Sequence, residues 1–258
     1  MQNIAIKYSI LSDGTERNGQ SAGYIGITEK YKNCSFLVPI PHGVTSIKVL
    51  EHELNCHNYS IANIAISRFQ LISALNFKRL KIRKEKDSVL VCGLGRVGLG
   101  ALLELNRMGI QKVNVLTQKI NAKKIIENIN KNYLIVNKTE FIKYDYIIDA
   151  TGDGCFLNNI IIRAKDFCNI IILGTPRLHS NINALTLHRK NLTLYGFHEI
   201  NGIDDKKRNT VFNKILKANQ HISIQLKDLI RYVEYNEAER NKILCRSSNI
   251  LQISVFYY

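Results

Sequence analysis

Three glycines near the middle of this 258-residue chain have the spacing of a phosphate-binding turn. They lie in the segment Val89–Gly98, VLVCGLGRVG, which begins as a buried strand and leads into a helix predicted over 97–108. Gly93 permits the tight turn, Gly95 lets the backbone approach a pyrophosphate, and Gly98 lets helix and strand pack closely. The helix N-terminus then directs N–H groups and a positive dipole at the phosphates. The segment predicts a dinucleotide-binding turn, with a purely structural turn as the alternative.

The elements that must position this turn alternate between strands and helices. Apolar periodicity predicts them in this order: strand 112–116, helix 121–130, strand 133–136, strand 144–149, helix 156–164, strand 169–173 and strand 192–195. Such alternation over about 125 residues predicts an α/β fold, in which a doubly wound parallel sheet carries helices on both faces.

The two ends of the chain predict a second lobe. Its expected elements are a strand at 4–10, two short strands around 28–33, helical spacing from Glu51 to about Leu75, helices at 226–232 and 236–244, and a strand at 250–257. We expect the last strand to return and pair with the N-terminal strands. The predicted domains are therefore residues 1–75, completed by 221–258, and a nucleotide-binding domain over 76–220.

The overall composition excludes several classes of protein. The net charge of +15 is spread along the chain without interleaved aromatic residues, so we expect no nucleic-acid partner. Six scattered cysteines without a CxxC pair argue against a zinc ribbon and a disulfide framework. The chain has no apolar run of about 18 residues and no signal-peptide layout, so we expect a cytoplasmic protein without a membrane span.

Four motifs occur in a familiar order: GLGRVG, DATG at Asp149–Gly152, ILGTP at Ile172–Pro176, and RKNLTLYG at Arg189–Gly196. Over roughly residues 35–255 the chain resembles the medium-chain dehydrogenase/reductase superfamily, the zinc-type alcohol dehydrogenase-like proteins. The resemblance implies a Rossmann domain that binds NAD(P) at the strand ends and a neighbouring GroES-like, β-rich lobe that holds the substrate. The cofactor-binding candidates are Gly93, Gly95, Arg96, Val97, Gly98, Thr117, Gln118, Lys119, Thr151, Gly152, Gly174 and Thr175.

The N-terminal lobe resembles that superfamily only after a large deletion. SILSDGTER at Ser9–Arg17 is similar to the segment that carries the first catalytic-zinc cysteine and a hydroxyl proton relay. On that alignment Asp13 stands at the cysteine and Thr15 at the relay, while the segment with the zinc-binding histidine and the structural zinc loop is absent. A catalytic zinc needs three converging protein ligands, and Cys56, His57 and Asp13 lack a spacing that recommends them. We therefore expect a truncated lobe that binds no zinc.

The second strand of the nucleotide domain ends in Thr117, Gln118 and Lys119, and no acidic residue follows before Glu127. A carboxylate at the strand end would bind the ribose hydroxyls of NAD, whereas these groups, with the nearby lysines, would accept a 2′-phosphate. The segment favours NADP(H) over NAD(H). The alternative is that the lysines form a solvated helix face.

Without a metal, a side chain must donate the proton that accompanies hydride transfer. The resemblance implies these candidates: Thr15 with Glu16, Cys56 with His57, and Tyr24 or Tyr31. A histidine ring at position 57 suits proton donation, although a surface histidine before a helix is an equal interpretation. Cys56 is equally interpreted as a small buried apolar residue.

Three further residues stand in loops after predicted strands. Asp149 either faces the cofactor or caps a helix or loop. Arg177 and His179 either meet an anionic substrate group or are exposed loop residues.

These features predict an NADP(H)-dependent, zinc-independent oxidoreductase that reduces a ketone, imine or polarised alkene in small-molecule biosynthesis. The shortened lobe is expected to leave an open crevice for a bulky or carrier-bound substrate, or one closed by the second copy of a homodimer. A non-catalytic NAD(P)-binding module, acting as a sensor or scaffold, is the alternative. The order of the later motifs disfavours a methyltransferase.

Overall fold

The computed structural model describes residues 3–12, 24–48, 53–136, 143–176, 181–198, 204–245 and 248–258. The chain divides into two compact units. Unit 1 comprises Met1–Leu71, Ile200–Ser248 and Gln252–Tyr258, and unit 2 comprises Ile72–Glu199 and Asn249–Leu251.

Strands and helices are numbered separately along the chain. The strands are β1 (Ile4–Ile10), β2 (Tyr24–Thr28), β3 (Ser35–Pro39), β4 (Ser46–Ile47), β5 (Leu54–His57), β6 (Val89–Cys92), β7 (Val113–Leu116), β8 (Leu134–Ile135), β9 (Tyr146–Asp149), β10 (Asn169–Ile172), β11 (Thr193–Gly196), β12 (Ile230–Glu234) and β13 (Ile253–Tyr257). The helices are α1 (Ile61–Asn76), α2 (Arg96–Arg107), α3 (Ala122–Ile129), α4 (Gly154–Arg163), α5 (Ala184–Arg189), α6 (Asp205–Ala218), α7 (Ile222–Gln225) and α8 (Glu237–Cys245). Short 3₁₀ helices span Phe77–Arg79 and Lys227–Leu229.

Unit 1 is built on a mixed sheet with the strand order β12–β13–β1–β2–β3–β5, and β4 also pairs with β1. The strand β13 runs antiparallel to β1, with Tyr8 opposite Tyr257, which confirms that the last strand returns to the N-terminal strands. It runs parallel to β12, with Ile230 opposite Ile253. The two ends of the described chain therefore share one sheet.

Two predicted helices in unit 1 are wrong. The helical spacing predicted from Glu51 includes β5, where buried Leu54 and Cys56 alternate with Asn55 and pair with β3. The helix predicted over 226–232 is instead a 3₁₀ turn followed by β12. In both places pairing with a neighbouring strand decides the conformation, and that neighbour is distant in sequence.

The boundary predicted at residue 220 also differs from the observed division, because α6 belongs to unit 1. Its Phe212 and Leu216 are fully buried. Asn63 donates from Nδ2 to the carbonyl of Leu216 at 2.9 Å. Asn219, at the end of α6, donates from Nδ2 to Ser67 Oγ at 3.0 Å and Gln70 Oε1 at 2.7 Å. A buried polar network thus fastens α6 to α1.

Unit 2 is a parallel sheet in the order β11–β10–β9–β6–β7–β8. Counted from β6, this is the 3-2-1-4-5-6 order of the doubly wound Rossmann fold, as the sequence predicts. All residues of β6 and β9 are buried, as expected for parallel strands covered on both faces. The sheet changes its winding direction between β6 and β9. Such a switch point is where ligands bind in these folds, at the carboxyl ends of the strands.

The buried amide network of α6 gives a first testable prediction. Asn219→Ala removes two buried hydrogen bonds, to Ser67 Oγ and Gln70 Oε1, and should lower the free energy of unfolding by about 1–3 kcal/mol. The neighbouring Gln220 is exposed, so Gln220→Ala should change the free energy of unfolding by about 0.5 kcal/mol or less. Urea denaturation measures both variants, and equal losses would contradict the role given to Asn219.

Candidate nucleotide-binding site

Loops after four neighbouring strands, β10, β9, β6 and β7, meet at the carboxyl edge of the unit 2 sheet. Gly93 donates its N–H to the carbonyl of Leu116 at 2.8 Å, which joins the loops after β6 and β7. Ala150 donates to Cys92 at 2.9 Å, and Gly174 donates to Asp149 at 2.9 Å. The register places Cys92 opposite Asp149, so these strands end at the same level. The sheet therefore brings the predicted glycine turn together with the DATG and ILGTP motifs.

The glycine turn after β6 combines close packing at Gly98 with open space at Gly95. Gly93 has a φ of +92°, which favours glycine. A methyl group on Gly98 would collide with the carbonyl oxygen of Gly93, so the close packing of α2 on the turn depends on that glycine. At Gly95, immediately before α2, a methyl group would meet no described atom within 4 Å. The backbone is thus exposed to open space where α2 begins, beside Arg96 and Val97.

The loops after β9 and β10 approach each other backbone to backbone. Gly152 has a φ of +66°, and a methyl group on it would collide with the carbonyl oxygen of Thr175. A methyl group on Gly174 would lie 2.7 Å from the N atom of Gly152. A methyl group on Gly93 would lie 3.0 Å from Thr151 Cγ2. The structure therefore gathers Thr151, Gly152, Gly174 and Thr175 around the glycine turn.

The side chain of Asp149 fixes the loop after β9 by hydrogen bonds to Thr151. Its side chain is almost completely buried, and Oδ1 accepts hydrogen bonds from Thr151 N at 2.9 Å and Thr151 Oγ1 at 2.6 Å. Burial raises the pKa of this carboxyl, although the Thr151 bonds act in the opposite direction. The helix α4 is capped by Asp153, which accepts from the N–H groups of Cys155 and Phe156. Of the two interpretations of Asp149, the geometry supports the loop cap.

The loop after β7 carries the residues predicted to select the nucleotide. Thr117 and Lys119 are half-buried and Gln118 is exposed. Lys119 donates its N–H to Thr117 Oγ1 at 3.1 Å, which curls the loop back toward the strand end. Lys123 and Lys124 follow on the exposed surface of α3. The local charge is therefore positive until Glu127.

The candidate proton donors belong to unit 1, and the described ones differ in environment. Cys56 is fully buried, Sγ donates to the carbonyl of Leu54 at 3.5 Å, and burial raises the pKa of its thiol. A buried thiol of raised pKa is a poor proton donor, so its environment favours the apolar interpretation. His57 is exposed, has a φ of +47°, and its ring lies 6.4 Å from that of Tyr59. His57 stays a prediction.

Several sequence candidates lie outside the described residues. They are Asp13, Thr15, Glu16, Arg177 and His179. Within the described ranges, no group of three or more His, Cys, Asp or Glu side chains could hold a metal ion. Every helix in those ranges is too short or too polar to cross a membrane.

One contact in this region was not predicted from the sequence. The segment 249–251, near the end of the sequence, belongs to unit 2 and is hydrogen-bonded to Ile120 and Asn121 in the loop after β7. The paired residues Asn121 and Leu251 are 130 positions apart. Nothing in the local pattern of either segment signals this contact.

The close approach of α2 to the turn gives a second prediction. Gly98→Ala should lower the free energy of unfolding by about 3 kcal/mol, because the methyl group and the Gly93 carbonyl cannot share the same space. Gly95→Ala is the matched variant in the same turn and should cost about 1 kcal/mol or less. Thermal and urea denaturation compare the two variants. A Gly98→Ala protein as stable as Gly95→Ala would contradict the close packing of α2 on the turn.

The buried carboxyl of Asp149 gives a third prediction, on pH. Because its pKa is raised in the folded state, the folded protein binds this proton more tightly than the unfolded chain does. The contribution to stability is full at low pH and is lost as pH rises from about 4. Asp149→Asn cannot titrate but keeps an acceptor for Thr151, so it should gain stability relative to the native protein as pH rises.

Asp153→Asn is the matched control, since the exposed Asp153 also accepts two backbone hydrogen bonds. Denaturation at a series of pH values measures both variants. If the stability of both variants changed equally with pH relative to the native protein, the pH dependence could not be assigned to Asp149.

No protein-family model and no curated protein sequence matches the chain. Solved structures do match it, each over 99% of its length. Staphylococcus aureus TarJ is 14% identical, with 90% of its chain covered and a TM-score of 0.73. Bacillus subtilis protein yhfP with NAD bound is 14% identical, with 90% covered and a TM-score of 0.72. Galactitol-1-phosphate dehydrogenase from Escherichia coli is 12% identical, with 92% covered and a TM-score of 0.72. The chain therefore has the same fold as these solved structures, which confirms the predicted fold class.

Proposed function

We propose that the chain is an NADP(H)-dependent oxidoreductase. The observation that carries the proposal is the open space at Gly95, where α2 begins, in a turn whose Gly93 packs against Thr151 of the loop after β9. A dinucleotide's pyrophosphate binds at such a helix N-terminus, where backbone N–H groups and the helix dipole favour negative charge. Two of the similar structures were solved with nicotinamide nucleotides: TarJ with NADPH and yhfP with NAD.

The loop after β7 supports the phosphorylated nucleotide. Thr117, Gln118 and Lys119 offer a hydroxyl, an amide and an ammonium group at the strand end. A 2′-phosphate accepts hydrogen bonds from each of these groups, and a carboxylate in their place would repel it. The positive charge of Lys123 and Lys124 acts in the same direction.

The bound nucleotide supplies the hydride in such a reaction. The protein must hold the nucleotide and donate a proton, and His57 is the described candidate whose side chain is exposed and carries a ring N–H that can be donated. We propose that the reaction needs no zinc, because the segment that carries the zinc ligands in the family it resembles is missing and burial favours the protonated Cys56 thiol. The substrate class is a ketone, imine or polarised alkene of small-molecule biosynthesis.

The remaining expectations belong to the same proposal. We propose a cytoplasmic protein that acts on a small molecule, bulky or carrier-bound, and that works as a homodimer without nucleic-acid or membrane partners. A second candidate function is a non-catalytic NAD(P)-binding module. The burial of Cys56 favours it, because one catalytic candidate is thereby removed from solvent while the nucleotide site is kept.

The direct test is a fluorescence titration of the purified full chain with NADPH and NADH, with zinc measured on the same sample. We expect NADPH to bind with a Kd of about 1–100 μM and at least about tenfold more tightly than NADH. Zinc should be well below one equivalent. Binding of neither nucleotide would overturn the proposal, and stoichiometric zinc would overturn its zinc-independent mechanism. Tight NADPH binding without oxidation of NADPH by a panel of ketones, imines and enones would favour the non-catalytic module.

A fourth prediction tests where the pyrophosphate lies. A methyl group at Gly95 meets no described protein atom but occupies the open space, so Gly95→Ala should raise the Kd for NADPH about tenfold, or about 1.4 kcal/mol. Gly196→Ala is the matched control, since its methyl group also meets no described atom within 4 Å and it lies on the edge strand β11. The same titration measures both. An unchanged Kd for Gly95→Ala would place the pyrophosphate elsewhere.

A further inference from the structure

The loop after β7 is tied to a segment near the end of the chain. Ile120 donates its N–H to the carbonyl of Asn249 at 2.8 Å. Asn121 donates from Nδ2 to the carbonyl of Leu251 at 3.1 Å, and Leu251 donates its N–H to Asn121 Oδ1 at 3.0 Å. The amide of Asn121 thus pairs with both backbone groups of one residue, as a neighbouring strand would. The segment Asn249–Leu251 becomes part of unit 2.

Asn121 makes this pair instead of capping the helix α3 with its side chain. It stands immediately before α3, at the position where an asparagine side chain ordinarily accepts from N–H groups of the first turn. In the described structure it makes no such bond. Its donor and its acceptor are both directed to Leu251 instead. The side chain therefore fixes the loop against Asn249–Leu251 rather than capping the helix.

Hydrogen bonds are the main restraint on this loop, because packing contributes little. Leu116 and Ala122 are buried at its two ends. In the fully described stretch between them, 117–121, no side chain is buried, and Ile120 is 77% exposed. The bond from Lys119 N to Thr117 Oγ1 restrains the start of the loop. The pair between Asn121 and Leu251 restrains its end.

We propose that Asn121 is a positioning residue for nucleotide selectivity. By tying the loop to Asn249–Leu251, it holds Lys119 and its neighbours in the place where they meet a 2′-phosphate. The inference rests on the proposed NADP(H) function. It predicts that Asn121 affects NADPH, which carries the 2′-phosphate, much more than NADH, which lacks it. A residue needed only for folding would weaken the binding of both nucleotides alike.

The fifth prediction compares the affinities of full-length variants by fluorescence titration with NADPH and NADH. Asn121→Ala should raise the Kd for NADPH about tenfold and that for NADH less than about twofold. Asn121→Ser should give the same loss of selectivity, because serine restores a helix cap but cannot pair with both backbone groups of Leu251. It also keeps the test valid if the alanine variant folds poorly. Asn132→Ala, an exposed asparagine beyond α3, is the matched control and should keep the native ratio.

A double-mutant cycle shows whether Asn121 acts through Lys119. If it does, Asn121→Ala should add little to the loss of NADPH affinity caused by Lys119→Ala alone. Additive losses, or a Kd ratio for NADPH and NADH that stays within twofold of the native one in both Asn121 variants, would overturn the inference and leave the proposed function standing. A native protein that binds both nucleotides equally would overturn it too. Binding of neither nucleotide would overturn both proposals.

Discussion

The candidate site depends on backbone that approaches backbone where no side chain fits. The helix α2 reaches the turn at Gly93 only because Gly98 has no side chain. The loops after β9 and β10 meet only because Gly152 and Gly174 have none. These contacts leave Gly95 facing open space at the start of a helix, where an anion is favoured. The absence of side chains therefore matters twice. It allows close backbone packing at Gly98, Gly152 and Gly174, and it leaves the space at Gly95 open.

The buried carboxyl of Asp149 stabilises the loop after β9, although its burial costs free energy. Asp149 is held almost without solvent beneath the loop after β9, where burial disfavours its ionised form. It accepts two hydrogen bonds from Thr151, at 2.9 and 2.6 Å, and these fix the chain reversal that brings Gly152 against Thr175. An apolar residue would pack there without that cost, but it would leave the Thr151 N–H and hydroxyl to find other partners. The carboxyl is best understood as part of the architecture of the site.

The loop after β7 is built on a different principle from the glycine turns. The turns are rigid because neighbouring backbone fills the space around them, whereas this loop has little packing and relies on directed hydrogen bonds. A nucleotide's diphosphate is common to NAD and NADP, so a rigid backbone site suits it. Only NADP carries the 2′-phosphate, and in the proposed function side chains of the loop after β7 recognise it.

The sequence by itself determined the parts of this protein that local patterns encode. The glycine spacing, the order of strands and helices from Val89 to Ile172, and the doubly wound sheet all follow from apolar periodicity and turn residues, whereas the helix Ala184–Arg189 was not predicted. Only the tertiary structure decided that Leu54–His57 and Ile230–Glu234 are strands, because their conformation depends on partners far along the chain. It alone decided that Asp149 caps a loop, that Cys56 is buried, and that Asn121 pairs with Leu251. Burial and long-range pairs such as Asn121 with Leu251 are set by neighbours that are distant in sequence. Asp149 bonds Thr151 only two residues away, so local sequence offered that role as one of two interpretations and the packing decided between them.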